Sequence, residues 1–545
     1  MSKRSRQTKK ELVTYCGEWV QVFDKFRDKD GKACLSQIFE EVRSQGIHPC
    51  QDPRFFTLFQ SIKLQNGKCF PEAKIDFPTF EGLVKNHDLF GRALKKNLVI
   101  PDLEEFEKIL RLIFLAQLVD NTGTEPKIYK TICNPSSKDS WGLAMFSIEG
   151  QKALFGDSDV YFTMQSCSWP LLYAFMLDTV GADEVHQYCS YEPTHASFVI
   201  TDLTREGKPF NPLTLGGVLI CCAIWQAIAF PTLAYAEKFE KFLCFLMEMS
   251  DGEKLNCNNL VVIDERERAF AVKAVLNVLL NEHCFPPGCD PVKILEFFFQ
   301  INSIEVNAQK LALMAATLAN DGIHPITGKQ LILQDNNVNV LSVLQTCGID
   351  HTKDNFLFEV GIPAITASTG AAIFIVPGFF AIACYSPQLE NCDMSRRSLK
   401  FIKTLATFYN FHPFDNSLYL KTLGGSKQIA TTCSINCALF NAATNGELDT
   451  VARLITAGTN PGMRDYMKRT ILHVAASYGH TALCKFIVAN CPNIIDARDI
   501  MGRMAIDDAI TFEHSEIATF LKNWTELRKG GNEELMKTAL VNNPT

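Results

Sequence analysis

The sequence has no excess of basic residues, because 53 lysines and arginines stand against 60 aspartates and glutamates, for a net charge of −7. Nucleic-acid binding needs a basic surface that neutralises phosphates, so we expect no nucleic-acid partner. The 20 cysteines form no Cys-x-x-Cys pair, and Cys221 and Cys222 are adjacent in an apolar run. This pattern indicates buried thiols in a reducing compartment rather than a disulfide framework or a zinc site.

The sequence also lacks an unbroken apolar run of the length that a transmembrane helix needs. Two charge-free stretches, 209–236 and 360–389, are long enough, but proline and glycine interrupt both of them. The second stretch is rich in β-branched residues, which predicts buried strands joined by turns. We therefore expect no membrane span.

A calcium-binding loop is suggested near the N-terminus, but it lacks two of its ligands. Apolar residues recur at helical spacing through residues 11–115, and Asp-Lys-Asp-Gly-Lys lies between two of these segments at 28–32. If Gly31 is loop position six, positions one and twelve are Phe26 and Gln37, which cannot supply the carboxylates of an EF-hand. We predict an EF-hand-like helical pair without calcium, with a plain turn as the alternative.

An internal repeat occupies the C-terminal part of the chain. Ala-Ala at 442–443 with Gly446 recurs as Ala-Ala at 475–476 with Gly479, and 508–509 continues the register. The period of about 33 residues is typical of ankyrin units, which stack helix pairs and offer a concave face to partners. His473 follows Thr-Ile-Leu at the start of a repeat, so we predict a structural role for it.

Several stretches between residues 125 and 415 carry a family resemblance. Residues 160–174 read Val-Tyr-Phe-Thr-Met-Gln-Ser-Cys-Ser-Trp-Pro-Leu-Leu-Tyr-Ala, and 314–322 read Met-Ala-Ala-Thr-Leu-Ala-Asn-Asp-Gly. Cys-Phe-Pro at 284–286, Ile-Leu-Glu-Phe-Phe-Phe-Gln at 294–300, Ser-Ile-Glu-Val at 303–306 and Pro-Ile-Thr-Gly at 325–328 accompany them. In order and spacing these stretches resemble animal-type glutaminases, which also carry a helical N-terminal region and C-terminal ankyrin repeats.

The resemblance implies an α+β fold with a β-lactamase/transpeptidase-like core, in which helices back an antiparallel sheet. An EF-hand-like helical domain precedes this core and an all-α ankyrin domain follows it. We predict a basic tail at 1–10, the EF-hand-like helical domain at 11–120, the glutaminase-like core at 125–415, a linker at 416–435, ankyrin repeats at 436–525 and a disordered tail at 526–545. The family hydrolyses L-glutamine to L-glutamate and ammonia through a serine, and we predict neither a cofactor nor a metal.

The resemblance places the nucleophile at Ser166 and a tryptophan at the position of the family's lysine. In Ser-x-x-Lys enzymes the serine opens a helix, so an amine three residues later lies on the same face and can take the hydroxyl proton. Trp169 has an N–H donor but no basic lone pair, so it cannot be that base. The alternative role for Ser166 is a helix N-cap, which contributes about 1 kcal/mol.

Most other ligand positions of the family are also replaced. The replacements are Leu215 and Val272 for two substrate asparagines, Phe298 and Asp350 for two tyrosines, and Ile365 for the lysine of Lys-Ser-Gly. A further tyrosine falls on Ile128 or Tyr129, depending on one gap. Glu265 is retained and should face the amino group of glutamine, although a surface salt bridge with Arg266 or Arg268 is the alternative.

These replacements predict a loss of glutamine binding and hydrolysis. Each lost hydrogen bond to a charged ligand costs about 1.5–3 kcal/mol, whereas binding a millimolar substrate provides only about 4 kcal/mol. A pocket lined by apolar replacements favours either an apolar ligand or closure by side-chain packing. The alternative is an active glutaminase or related amidase in which another base serves Ser166.

We therefore predict a pseudoenzyme that acts through association. It would form a homo-oligomer, or a hetero-oligomer with an active glutaminase paralogue, and its ankyrin repeats would bind a protein partner. Residues 1–10 contain five basic residues and no acidic one, which faintly resembles a mitochondrial presequence. Together with the family resemblance, this favours a mitochondrial location, with the cytoplasm as the alternative.

Overall fold

The computed structural model describes residues 19–66, 74–120, 122–124, 139–194, 201–250, 252–349, 355–390, 394–409, 411–412, 439–456 and 459–529. The basic tail, the linker and the three ligand positions Ile128, Tyr129 and Asp350 lie outside these residues. The described chain up to residue 412 belongs to one compact unit, and the chain from residue 439 belongs to a second.

The N-terminal region is helical and contains one short two-stranded sheet. Its helices are α1 (Val20–Asp24), α2 (Leu35–Ser44), α3 (Phe56–Asn66), α4 (Phe77–Asn86), α5 (Asp88–Leu94) and α6 (Leu103–Leu118), and its strands are β1 (Ala33–Cys34) and β2 (Lys74–Ile75). The two strands pair antiparallel and link two helix–loop–helix units.

A lysine contacts the loop that lacks calcium ligands. The carboxylate of Asp28 accepts hydrogen bonds from the backbone N–H groups of Asp30 and Lys32, and Lys74 Nζ lies 2.6 Å from its second oxygen. The Lys74 ammonium lowers the pKa of Asp28 to about 2. The positive charge next to this carboxylate is therefore supplied by the chain's own side chain.

The core contains a five-stranded antiparallel sheet in the order β4-β3-β10-β9-β8 and a small three-stranded sheet in the order β5-β7-β6. The strands are β3 (Gly142–Ser147), β4 (Lys152–Gly156), β5 (Phe162–Thr163), β6 (Asn256–Cys257), β7 (Ile304–Val306), β8 (Ala364–Thr366), β9 (Ala371–Val376) and β10 (Phe380–Tyr385). The charge-free stretch 360–389 thus forms buried strands, as its composition predicts.

Eleven described α-helices of the core surround these sheets. They are α7 (Trp169–Val180), α8 (Ala182–Tyr188), α9 (Leu215–Ala227), α10 (Tyr235–Met249), α11 (Asn259–Arg268), α12 (Phe270–Asn281), α13 (Pro291–Asn302), α14 (Ala308–Ala319), α15 (Gln334–Cys347), α16 (Phe356–Glu359) and α17 (Arg396–Phe408). In the part of the chain that the structure describes, no helix is both long and apolar enough to cross a membrane.

Four strands of the large sheet, β3, β8, β9 and β10, are buried on both faces, and the edge strand β4 is buried on one. The buried strands alternate between two apolar clusters. In β3, Leu143 and Met145 pack with α6 and α17, whereas Ala144 and Phe146 face the cluster that contains α7, α9 and α14. The neighbouring strand β10 alternates in the same way. Ile382 pairs with Met145 and lies in the same cluster as it, whereas Ala383 lies in the cluster that contains α14. Period-two alternation of side chains produces this arrangement, and the small alanines allow α14 to pack closely on the sheet.

The second unit consists of helix pairs joined by tight turns. Its helices are α18 (Leu448–Thr456), α19 (Ile471–Ser477), α20 (Thr481–Asn490), α21 (Ala505–Thr511) and α22 (Ser515–Lys529). His473 is fully buried. Its Nδ1 accepts from the Thr470 backbone N–H, and its Nε2 lies 3.2 Å from the Arg503 carbonyl. The last helix continues to Lys529, beyond the predicted repeat boundary at residue 525.

Candidate active site

Ser166 lies in a short segment that is fixed between two sheets. Strand β5 pairs with β7, and the backbone N–H of Met164 donates to the Ile304 carbonyl at 2.9 Å. The next residues, Gln165–Ser168, form one 3₁₀ turn, after which α7 begins at Trp169. Gln165 has a φ of 48°, in the left-handed region that non-glycine residues rarely adopt.

The Ser166 hydroxyl donates to the Thr366 carbonyl of β8 at 2.8 Å. The N-cap interpretation of Ser166 is therefore wrong, because its hydroxyl bonds to a strand of the large sheet instead of the start of α7. Ser168 occupies the N-cap position without a side-chain cap. Within the described residues, the hydroxyl thus bonds to a backbone carbonyl and not to a basic side chain.

Trp169 contacts a side chain that the sequence does not connect with it. Its indole Nε1 donates to the Asn302 Oδ1 at 2.9 Å, and its ring centre lies 6.3 Å from that of Phe298. Asn302 ends α13 and is almost fully buried. The indole donor that replaces the family's lysine amine is thus satisfied inside the protein.

Glu265 completes the hydrogen-bonded chain that begins at Trp169. Gln165 Nε2 donates to Glu265 Oε1 at 2.5 Å, and the Asn302 side chain also hydrogen-bonds to this carboxylate. We call Trp169, Asn302, Glu265 and Gln165 the polar chain. Glu265 is partly buried, and these two donors come from its own chain.

The surface salt bridge considered for Glu265 is wrong. Arg266 pairs with Glu296 at 2.7 Å, and Arg268 pairs with Asp264 at 2.8 Å. Glu265 points inward because α11 places it three and four residues after the buried Val262 and Val261. Both neighbouring arginines therefore pair with other carboxylates, and Glu265 hydrogen-bonds within the polar chain instead.

Burial raises the pKa of Glu265 to about 7, whereas its hydrogen bonds with Gln165 and Asn302 act in the opposite direction. Desolvation disfavours the charged carboxylate more strongly than these two neutral donors stabilise it. Near neutral pH the carboxyl group is thus divided between its protonated and ionised forms. Its recorded partners are amides and not Ser166, so the geometry gives it no direct path to the hydroxyl proton.

The apolar replacements belong to the main apolar core. Leu215, Phe298 and Ile365 are at most 6% exposed and lie in the same large cluster, and Val272 and Trp169 pack against it while partly buried. Burying apolar surface stabilises a fold by about 25 cal/mol per Å², so these side chains contribute to the stability of the core.

Gln165 and Asn302 are the site residues that the sequence analysis does not identify. Gln165 precedes Ser166 within a quoted family stretch, so its position was a usable signal. Asn302 gives no comparable signal, because it is 133 residues from Trp169 and chain spacing does not predict their contact. Asp350, Ile128 and Tyr129 lie outside the described residues.

The antiparallel sheet with a serine just before a central helix defines the class of β-lactamase-like serine hydrolase folds. A family model described as glutaminase matches residues 129–414, and a model of three ankyrin repeats matches residues 439–528. The chain belongs to the glutaminase family. The family and the fold class that the sequence predicts are therefore confirmed.

Relatives with the same name cover most of the chain. It is 31% identical to the mouse liver isoform of glutaminase, a mitochondrial protein by name, over 87% of this chain and 78% of the relative. It is 29% identical to putative glutaminase 3 of Caenorhabditis elegans over 93% of this chain and 88% of the relative. The solved structure of the probable glutaminase YbaS has the same fold, with a TM-score of 0.52 and 22% identity over 58% of this chain and all of that chain.

Proposed function

We propose that this protein is a glutaminase-family pseudoenzyme that does not hydrolyse L-glutamine at an appreciable rate. The observation that carries the proposal is the hydrogen bond from Trp169 to Asn302, which ties the replaced lysine position to Glu265. A serine and its base act as a unit worth about 10⁴–10⁶ in rate. Without the base, Ser166 is a weak nucleophile.

The retained carboxylate is also partly engaged within the protein. Glu265 already receives donors from Gln165 and Asn302, so an incoming ammonium group would share the carboxylate with two amides. The apolar side chains at Leu215 and Phe298 offer no hydrogen bond in return. Ligand and protein would then each lose polar contacts, which opposes binding.

The first experiment measures ammonia release from L-glutamine by the purified full-length protein, with and without phosphate. Ser166→Ala is the matched control, because it removes only the hydroxyl. We expect both proteins to give the same background rate. Turnover by the wild type that Ser166→Ala abolishes would refute the proposal and favour the alternative of an active amidase with a substitute base.

We further propose that the protein acts through association, as a homo-oligomer or as a hetero-oligomer with an active glutaminase paralogue. Oligomers of related subunits form through equivalent surface patches, and this chain retains the family's core fold. Mixing the protein with an active animal glutaminase before size-exclusion chromatography with light scattering should give a mixed species and altered glutaminase activity. Separate elution together with unchanged activity of the partner would contradict this proposal.

The ankyrin repeats supply the second proposed interaction surface. Two equivalent turns expose the apolar side chains of Tyr466, Ile500 and Met501, which are 87%, 57% and 70% exposed. Asp465 and Asp499 hold these turns rigid, each by accepting two backbone N–H groups of its own turn. A rigid turn that presents Tyr and Met suits protein recognition, because both residue types are enriched at interfaces.

Partner capture with the full-length protein tests this surface. Tyr466→Ser combined with Met501→Ser should leave the fold intact and reduce capture of specific partners, whereas the control Leu357→Ser changes an exposed side chain of the other unit. Equal capture by both variants would place the partner surface elsewhere.

For localisation, we propose the mitochondrion, because two rodent relatives carry that location in their names and residues 1–10 are basic. Microscopy of the chain with a C-terminal fluorescent tag, compared with a variant in which the five basic residues become glutamine, tests it. A wild type that stays in the cytoplasm would overturn this proposal.

A further inference from the structure

A cavity of about 630 Å³ lies at the junction of the helical region and the core, away from the residues of the polar chain. The helical region contributes Gly46, His48 and Gln51 to its wall, and the core contributes Lys152, Asp159 and Lys310, among others. Its volume is within the range of small-molecule sites in proteins, about 300–1,000 Å³.

Backbone hydrogen bonds hold the two sides of the cavity together. The N–H of Lys152 donates to the Gly46 carbonyl at 3.1 Å, and Gln151 Nε2 donates to the Gln45 carbonyl at 3.1 Å. Arg54 of the helical region donates to the carbonyls of Glu149 and Pro325 in the core. The walls are therefore formed in advance, which reduces the ordering that a ligand would otherwise have to bring about.

Lys310 is a nearly buried cation in the wall of the cavity. It is 9% exposed, and its ammonium lies 2.7 Å from Glu253 and 3.0 Å from the Tyr161 hydroxyl. An ammonium has three donors, and the structure gives only two of them an acceptor among the described residues. The third donor of a nearly buried lysine is suited to an anionic ligand group.

Two carboxylates also line the cavity. The Glu253 side chain is 66% exposed and pairs with Lys310 at 2.7 Å. Asp159 is exposed and forms no ion pair with any residue in the described ranges. Of the two, Asp159 is therefore the carboxylate that can accept a cationic ligand group.

We propose that this cavity binds a small zwitterion, an amino acid or short peptide, with its carboxylate on Lys310 and its ammonium at Asp159. The carboxylate takes the third N–H of Lys310 in a charge-assisted hydrogen bond. Tyr161 and Glu253 keep the lysine side chain in place. This binding site is independent of Ser166 and of the polar chain.

The experiment is calorimetric titration of the full-length protein with free L-amino acids and dipeptides, each compared with its N-acetyl and its carboxamide form. At least one free zwitterion should bind, and both blocked forms should bind at least tenfold more weakly, since each loses one charged contact. Lys310→Met and Asp159→Asn should weaken binding at least tenfold. Lys241→Met, an exposed lysine away from the cavity, should leave it unchanged.

Glu265→Gln separates this site from the family's substrate site. If the cavity is the binding site, Glu265→Gln retains full affinity. Loss of binding in Glu265→Gln with retention in the cavity variants would overturn the proposal and assign the ligand to the family's site. Absence of binding by every zwitterion would overturn it as well. Asp159→Asn provides the test if Lys310→Met does not fold, because Asp159 is exposed.

Discussion

The segment Ser166 to Trp169 and the segment Thr470 to His473 are two family motifs with different outcomes. The ankyrin segment keeps its histidine, which bonds to Thr470 and Arg503 across the turn. The other segment has Trp169 at the position where the family resemblance predicts a lysine, and the indole N–H is bonded to Asn302. Both side chains therefore have hydrogen-bond partners inside the protein, but only the histidine fits the motif that the sequence analysis predicts for its segment.

Close backbone contacts are retained in both regions. A side chain at Gly217 would place Cβ 1.9 Å from the Asn211 carbonyl oxygen, and one at Gly446 would place it 2.5 Å from the His480 ring. The comparison teaches that the constraints of packing and of chemistry are separable: the core has the fold of its family, and under our proposal it does so without the groups that react.

The largest expected effect comes from breaking a close backbone contact in the core. Gly217→Ala should lower the free energy of unfolding by about 3 kcal/mol or more, because backbone atoms of Asn211 and Pro212 would have to move. Urea unfolding followed by circular dichroism measures this. Gly82→Ala is the control, since a Cβ there meets nothing within 4 Å and should stabilise α4 by about 0.5–1 kcal/mol. Equal stability of the two variants would contradict the expectation.

The second effect concerns the carboxyl group of Glu265. Its pKa rises from 4.5 to about 7 on folding, so the folded protein binds the carboxyl proton more tightly than the unfolded chain does. Below pH 4.5 Glu265 contributes no penalty, and as the pH rises through about 7 the ionised group destabilises the fold. One pKa unit corresponds to about 1.4 kcal/mol, so the penalty approaches roughly 3 kcal/mol.

Glu265→Gln removes this titration while keeping the shape of the side chain. The difference in unfolding free energy between variant and wild type should therefore grow in favour of the variant between pH 4.5 and 7. Parallel stability curves across that range would contradict the proposed burial of the charge.

The third prediction concerns the ankyrin segment from Thr470 to His473. His473→Ala should destabilise the ankyrin unit by about 2 kcal/mol, because Thr470 and Arg503 lose buried partners. Hydrogen exchange of the full-length protein should show lost protection within residues 439–529 and none in the core. Tyr466→Ser, at an 87% exposed position, should stay within about 0.5 kcal/mol of the wild type; a loss of protection as large as that of His473→Ala would contradict the structural role of the histidine.

The smallest expected effect is the coupling between Trp169 and Asn302. Trp169→Phe, Asn302→Ala and the double variant form a cycle whose interaction energy should be about 1 kcal/mol, the contribution of one hydrogen bond. Additive effects would mean that the hydrogen bond from the indole N–H contributes nothing to stability. Trp169 would then stabilise the fold through apolar packing alone.

The sequence predicts the elements of this protein well where one chain segment contains the whole signal. The alternation in 360–389 specifies strands, and the ankyrin period specifies helix pairs. The inward position of Glu265 was also present in the pattern, since Val261 and Val262 precede it by four and three residues. Five consecutive charged residues at 264–268 obscured that helical periodicity.

Contacts between distant segments could not be predicted in this way. The bonds from Ser166 to Thr366, from Trp169 to Asn302 and from Gln165 to Glu265 each join residues at least 100 positions apart. Their formation depends on how β5, β8 and α13 pack around one turn. No spacing rule within a segment carries that information.

By itself, the sequence determined the family and the presence of ankyrin repeats at its C-terminal end, because motifs and repeat periods are properties of the chain. Only the tertiary structure decided that Asn302 accepts the Trp169 indole N–H, that the partly buried Glu265 has a raised pKa, and that Lys310 lines a cavity. Burial and hydrogen-bond partners are set by segments that meet in space, and the free energy of a charge depends on that surrounding rather than on its neighbours in sequence.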